Sequence, residues 1–483
     1  MWYAAAVFCL VVYLLCSLWL LAGVTTQLHL LIKSKRKKIS TKPVPVTTLP
    51  CVTIQVPVYN ERFVIAPLLQ HLGQLDYPRD LFDIQVLDDS TDETSSIIDR
   101  EALNLQNLGI NISVIRRENR KGFKAGALEY ALPICRGELI AIFDADFRPT
   151  PDFLKRIIVH FNDAQVGGVQ GRWTHENLHE NPLTTIQAFL LDSHFHLEQN
   201  GRSNAGYFMN FNGTAGVWRK QCILDAGGWN GDVLTEDLEL SYRAQLKGWK
   251  LKYDNEISVP AELPADINAF KTQQYRWAKG MAQTARKHLA TIMQADVDTS
   301  KKWHAAFHLL GSLSFVAVLG NIVLTFPILA ARHHVPHFNE VTNILFASGI
   351  TLPLMTLYYY TGTSTTFTTA SFWKYFPLFL VVYMALSVQN SIGVLQGLAG
   401  KKSPFVRTPK TSGKTKTASV YLKTKVSRLN YLEFAMILYV VAACVMSIFW
   451  KDFFLLTLLI MMLIGLLILV VPVLRTAVRL NLR

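Results

Sequence analysis

The chain has 483 residues, is 50% hydrophobic and carries a net charge of +13. The apolar residues gather in blocks at both ends, long enough for the ~20 residues a bilayer crossing needs, which excludes a wholly soluble protein. The positive charge flanks those blocks, as the positive-inside bias requires. No basic stripe interleaved with aromatics occupies the centre, so nucleic acid is not an expected partner. The six cysteines form no C-x-x-C pair, and neither a disulfide framework nor a zinc site is expected.

Residues 1–32 form the first apolar block, followed at Lys33–Lys38 by five basic residues. A secretory signal would have a shorter core with its charge in front. The pattern therefore predicts a true span with the downstream domain in the cytoplasm, and in a bacterial cell it implies the inner membrane. Residues 33–50, basic and proline-containing, read as a linker. From 51 to 280 the composition is that of a soluble α/β domain. Val52–Val56, Asp83–Leu87, Ile112–Ile115 and Ile140–Phe143 read as strands alternating with helical stretches, which implies a mostly parallel, Rossmann-like sheet. Acidic or polar clusters follow these strands directly, at the carboxyl edge where open α/β sheets place ligands.

Residues 281–483 hold five further apolar blocks, near 305–330, 341–361, 373–399, 431–450 and 453–474. Lys401–Arg428 between the third and fourth carries nine basic residues and no acid, and so is expected in the cytoplasm. Three crossings before it would place it outside. Block 373–399, with Ser387, Gln389, Asn390, Ser391 and Gln396 in its second half, is therefore expected to lie in the interface. The other four blocks are expected to span.

Four constellations carry chemistry. Asp144 and Asp146, separated by one residue at a strand end, can share a face and hold a divalent cation that takes its remaining ligands from water and phosphate. Asp88 and Asp89 occupy the same position on an earlier strand, suited to ribose hydroxyls or a base edge, or equally to a turn. Thr235 would cap a helix that carries Glu236 and Asp237 in its first turn. Asp237 suits a general base or simply the helix N-terminus. Gln273, Arg276 and Trp277 share a helix face, with Arg276 fit for a diphosphate and Trp277 for a sugar ring, or equally for the membrane interface. Lys124 suits a phosphate.

Taken in order, Asp88-Asp89, Asp144-x-Asp146, Thr235-Glu236-Asp237 and Gln273-x-x-Arg276-Trp277, followed at once by membrane blocks, resemble the processive family-2 glycosyltransferases of the cellulose synthase superfamily. The phrases Gln85–Thr91, Ile142–Phe147 and Phe211–Trp218 look most like the cellulose-synthase-like A and C groups and their bacterial relatives. The resemblance implies a GT-A fold and an inverting hexosyl transfer from a nucleoside diphosphate sugar, UDP-glucose or GDP-mannose. The product would be a growing β-linked polysaccharide such as β-1,4-glucan or mannan. By resemblance, Asp88, Asp89, Lys124 and the Tyr59-Asn60-Glu61 loop would bind the donor, together with Asp144, Gln273 and Arg276. Asp144 and Asp146 would hold Mg²⁺ or Mn²⁺, and Asp237 would be the base. Trp277, with Thr235 and Glu236, would meet the acceptor. Phe405, Thr408 and Lys410 match the family's gating loop, but Arg407 stands where valine is usual. A single-transfer enzyme making a membrane glycolipid and a non-enzymatic sensor of nucleotide sugars are the competing expectations.

Overall fold

The computed structural model describes residues 2–35, 48–407, 410 and 428–481. Seven strands form one sheet: β1 (Val52–Val58), β2 (Phe82–Asp88), β3 (Ile112–Ile115), β4 (Leu139–Ile142), β5 (Val166–His175), β6 (Gly216–Arg219) and β7 (Lys250–Ala261), in the order β3-β2-β1-β4-β6-β5-β7. All neighbours are parallel except β6, which runs antiparallel to both β4 and β5.

The strands alternate between two cores. Val52, Ile54, Val56, Phe82, Ile84 and Val86 fill one face, while Leu87, Ile140 and Ile142 fill the other. A sheet covered on both faces explains the nearly continuous apolar runs. The polar residues within β1 and β2 are matched across the pair. The Thr53 hydroxyl donates to Asp83 at 3.0 Å and the Gln55 amide to Gln85 at 3.1 Å, both pairs lying directly opposite in register. Burying these groups therefore leaves few hydrogen bonds unmade.

Among the described residues, five helices are long and apolar enough to cross a membrane: Trp2–Ser34, Leu313–His334, Thr369–Leu398, Leu429–Phe449 and Leu456–Arg475. Two blocks differ from expectation. The stretch 341–361 is not one helix. It is divided among the end of Phe338–Thr342, a 3-10 segment Asn343–Ile350 and a 13-residue helix Thr351–Thr363. Block 373–399 belongs to a 30-residue helix, and its polar residues do not face water. Ser387, Gln389, Asn390 and Ser391 are all buried, against the long helix Ile267–Gln294. Gln389 donates to the Lys271 carbonyl at 2.9 Å, and Gln396 accepts from Tyr275 and Lys279 at 3.0 and 2.9 Å. The polarity that suggested a wetted face instead serves a helix–helix seam.

Both ends of Thr369–Leu398 rest on helices earlier in the chain, Pro182–Ser193 and Ile267–Gln294. Near its start Phe372 stacks on Phe189, with ring centroids 5.6 Å apart. Near its end Gly397 is so close to Lys279 that a Cβ would lie 2.7 Å from that residue's carbonyl oxygen.

Candidate active site

A cavity of about 420 Å³ opens at the carboxyl edge of the sheet, walled by segments from well-separated parts of the chain. The end of β1 supplies Tyr59 and Glu61, the end of β2 Asp89, and the end of β4 Asp144 and Asp146. The first turn of helix Glu236–Leu246 supplies Glu236 and Asp237, with Thr235 just before it, and helix Ile267–Gln294 supplies Gln273, Arg276 and Trp277. Phe405, Arg407 and Lys410 complete the wall from a loop some 130 residues further on.

Lys124, at the N-terminal turn of helix Phe123–Ala131, ties the end of β4 to the turn before β6. Its ammonium donates to Asp144 at 2.5 Å and to the Gly213 carbonyl at 2.9 Å. Burial lowers its pKa, but Asp144, Glu236 and Asp237 outweigh that and raise it. Gly213, at φ +83°, is a place only glycine fits: a Cβ there would lie 2.9 Å from Asp237 Oδ2 and 3.4 Å from Lys124 Nζ. The glycine-broken turn before β6 thus brings the base candidate and the lysine together. The Thr214 hydroxyl fixes the strand end by accepting the Asp144 backbone N–H at 2.8 Å.

Asp237 is partly exposed in the cavity, and its Oδ1 accepts the Leu238 backbone N–H at 2.8 Å. Burial, and then the neighbouring Glu236, push its pKa up to about 7 against the pull of Lys124. That is a carboxylate poised near neutrality, as a general base should be.

Several expected roles shift. Asp88 does not line the cavity. Its carboxylate is fully engaged by Ser95 at 2.8 Å, Arg116 at 2.9 Å and the Ser90 backbone N–H at 3.0 Å, so it braces the strand end while Asp89 faces inward. Asn60 also stays outside the lining. Its side-chain oxygen accepts the Thr91 N–H at 2.8 Å, pinning the Tyr59–Glu61 turn at a left-handed φ of +56° that asparagine tolerates. Thr235 precedes its helix, but its hydroxyl makes no capping bond. Thr408 lies outside the described residues.

Motif reading did not foresee other residues in or behind the wall. Arg117 forks onto Asp89, and Arg120 lies 3.4 Å over the Tyr59 ring. Both sit in the basic Asn119–Gly126 neighbourhood, which was the available signal. The far wall carries His194 and Glu198, exposed to the cavity by a π-helical turn, His194–Gln199, inside a longer helical run. Nothing in the apolar spacing of 183–198 announces such a turn. Burial would raise Glu198, but Arg202 and His194 hold it well below the usual carboxylate range.

Asp144 and Asp146 suit a hard divalent cation. Asp146 Oδ2 is buried and accepts no hydrogen bond, although the Lys410 ammonium lies 2.6 Å away. Among the described residues no group of three or more His, Cys, Asp or Glu converges. Two carboxylates suffice for an ion that takes its remaining ligands from phosphate and water.

A GT-A sheet with acids at its carboxyl edge, joined to apolar helices, defines a membrane glycosyltransferase. The chain belongs to glycosyl transferase family 2, whose profile it matches over residues 53–223, with a match to glycosyl transferase family group 2 over 139–389. It is 35% identical over 422 residues to glucomannan 4-beta-mannosyltransferase 1 of Oryza sativa subsp. japonica, covering 84% of this chain and 78% of that protein. It is 33% identical over 416 residues to glucomannan 4-beta-mannosyltransferase 9 of Arabidopsis thaliana, covering 83% and 77%. Among solved structures, a mannosyltransferase from Pyrobaculum calidifontis in complex with GDP-Man and Mn²⁺ shares the fold. Its TM-score is 0.54 at 20% identity, covering 82% of this chain and 99% of that one.

Proposed function

We propose that this enzyme transfers mannose from GDP-mannose to the growing end of a β-1,4-linked mannan or glucomannan. The observation that carries the reading is the convergence of Asp144, Asp146, Asp237, Arg276 and Trp277 on one cavity. The relatives named above support mannose as the sugar. Asp237 removes the proton of the acceptor hydroxyl as that oxygen attacks C1 of the donor sugar from the side opposite the diphosphate. The bond from C1 to the diphosphate oxygen breaks, and its electron pair leaves with that oxygen. One displacement inverts C1, so an α-linked donor yields a β-linkage. Lys124 and Arg276 offset the charge that builds on the leaving diphosphate. Asp144 and Asp146 would hold Mg²⁺ or Mn²⁺, which when bound would supply Lewis-acid stabilisation of the same group. Trp277 presents an apolar face to the acceptor ring.

The topology that accompanies this reading has five crossings: Trp2–Ser34, Leu313–His334, the 343–363 stretch, Arg428–Phe449 and Leu456–Asn481. Thr369–Leu398 lies along the cytoplasmic face with the catalytic domain. Its contacts at both ends with Phe189 and Lys279 support that placement over the crossing its composition would allow.

The test incubates purified protein with GDP-mannose or UDP-glucose and either cation. GDP release with an insoluble product digestible by β-mannanase is expected. A chloroform-soluble single-sugar product would sink the polymer reading, and preferential UDP release would overturn the donor.

A further inference from the structure

The loop bearing Phe405, Arg407 and Lys410 reaches across the donor side of the cavity, where each of its cations meets an acid on a different strand end. The Arg407 guanidinium forks onto Glu61, Nε to Oε1 at 2.7 Å and Nη2 to Oε2 at 2.6 Å. Its third nitrogen donates to the Asn60 carbonyl. Three positions on, Lys410 lies 2.6 Å from Asp146 and donates to the Glu262 carbonyl at 2.5 Å. Behind them Phe405 lies between the Arg276 guanidinium, 4.4 Å from its ring centroid, and the Phe123 ring at 5.8 Å. Arg407 and Glu61 are each only about 15% exposed. A planar fork on a carboxylate in a half-dry setting fixes direction as well as distance, which a lysine in the same place would not do.

We propose that Arg407 is a positioning residue: its fork onto Glu61 fixes the loop across the donor cavity and so sets Lys410 at the acidic floor and keeps water from the reacting sugar. The turn it grips is itself rigid, since Asn60 is tied to Ser90 and Thr91 on the neighbouring strand end. Arg407 therefore connects the membrane-side loop to the rigid edge of the sheet, at a position where the family resemblance leads one to expect an uncharged valine. Sequestering the donor matters because water competes with the acceptor hydroxyl for C1. A loosened loop should shift the partition from transfer toward hydrolysis.

This inference rests on the donor-site reading, but its first measurement needs no donor. Hydrogen–deuterium exchange of the 401–407 amides is followed in detergent-solubilised full chain without nucleotide. R407A and E61Q should each speed exchange there by about tenfold, equivalent to roughly 1.4 kcal/mol. R407K should fall between, and the exchanged pair R407E/E61R should return toward the parent. The second measurement is the ratio of free sugar to polymer formed from GDP-mannose, which should rise in R407A; a purely structural lesion would lower both together. Unchanged exchange in R407A and E61Q, or a double exchange no better protected than either single variant, overturns the proposal. If the parent uses another donor, the exchange result still stands, so the latch and the donor assignment fail separately.

Discussion

At the scale of single residues, the proposed mechanism needs one carboxylate basic enough to accept a proton and one lysine held beside it. Asp237→Asn keeps the shape and removes the base. Transfer should fall by about 10²–10⁴-fold, while the donor affinity, read by isothermal titration with GDP-mannose, stays within about twofold. The pH dependence follows from the same group. Desolvation and the neighbouring Glu236 push the Asp237 carboxyl up to about 7, so turnover should rise with slope one up to that pH and level off above it. In Asp237→Asn the residual rate should lose that rising limb. A limb that persists in Asp237→Asn would show that another group is the base. The carboxylates were legible in the sequence because each stands in a short, ordered phrase at the end of a predicted strand or at the start of a predicted helix. The division of labour between Asp88 and Asp89 was not legible. Which of two adjacent acids turns inward depends on where Arg116 and Arg117 stand, and those come from the loop after β3.

At the scale of elements, the helix that carries Gln273, Arg276 and Trp277 is seated by Thr369–Leu398, and small residues set the distance. Gly393 and Gly397 fall one turn apart. A Cβ at 393 would meet the Tyr275 ring at 3.0 Å, and one at 397 would meet the Lys279 carbonyl at 2.7 Å. Small residues four apart let helix backbones approach closely in and beside membranes. Gly397→Leu should push the helix bearing Arg276 out of place and lower transfer by at least tenfold, whereas Leu395→Ala, on an exposed position of the same helix, should change it less than twofold. GDP-release kinetics on both variants check this; equal effects would show that the seam is not what seats Arg276. Periodicity revealed that this stretch was apolar with a polar half, but not what the polar half faced. Gln389, Gln396 and the two glycines make sense only against a partner helix more than a hundred residues earlier in sequence. The π-helical turn that exposes His194 and Glu198 escaped for a similar reason: one extra residue in a helix leaves composition and spacing almost untouched.

At the scale of the whole molecule, the crossings must return the loop with Arg407 to the side that holds Glu61, and this ties topology to chemistry. If Thr369–Leu398 crossed and the 343–363 stretch did not, the loop would still come back, so parity alone cannot separate the two arrangements. Contacts can. Thr365 meets His196 of the catalytic domain at 3.1 Å, and Tyr358 and Tyr359 line the same cavity as Asp237. With Leu313–His334 as a crossing, as proposed, these contacts favour a return across the bilayer by residue 365. A cysteine at Ser364 should therefore be labelled by an impermeant maleimide from the face that carries the catalytic domain. A cysteine at His337, whose side chain is 83% exposed, should be labelled only from the opposite face, each read against the labelling of the parent chain. In sealed vesicles of both orientations the two sites should give opposite patterns. The same pattern at both would place Ser364 across the membrane from the active site, making Thr369–Leu398 a crossing helix and leaving the cavity without its tyrosine wall.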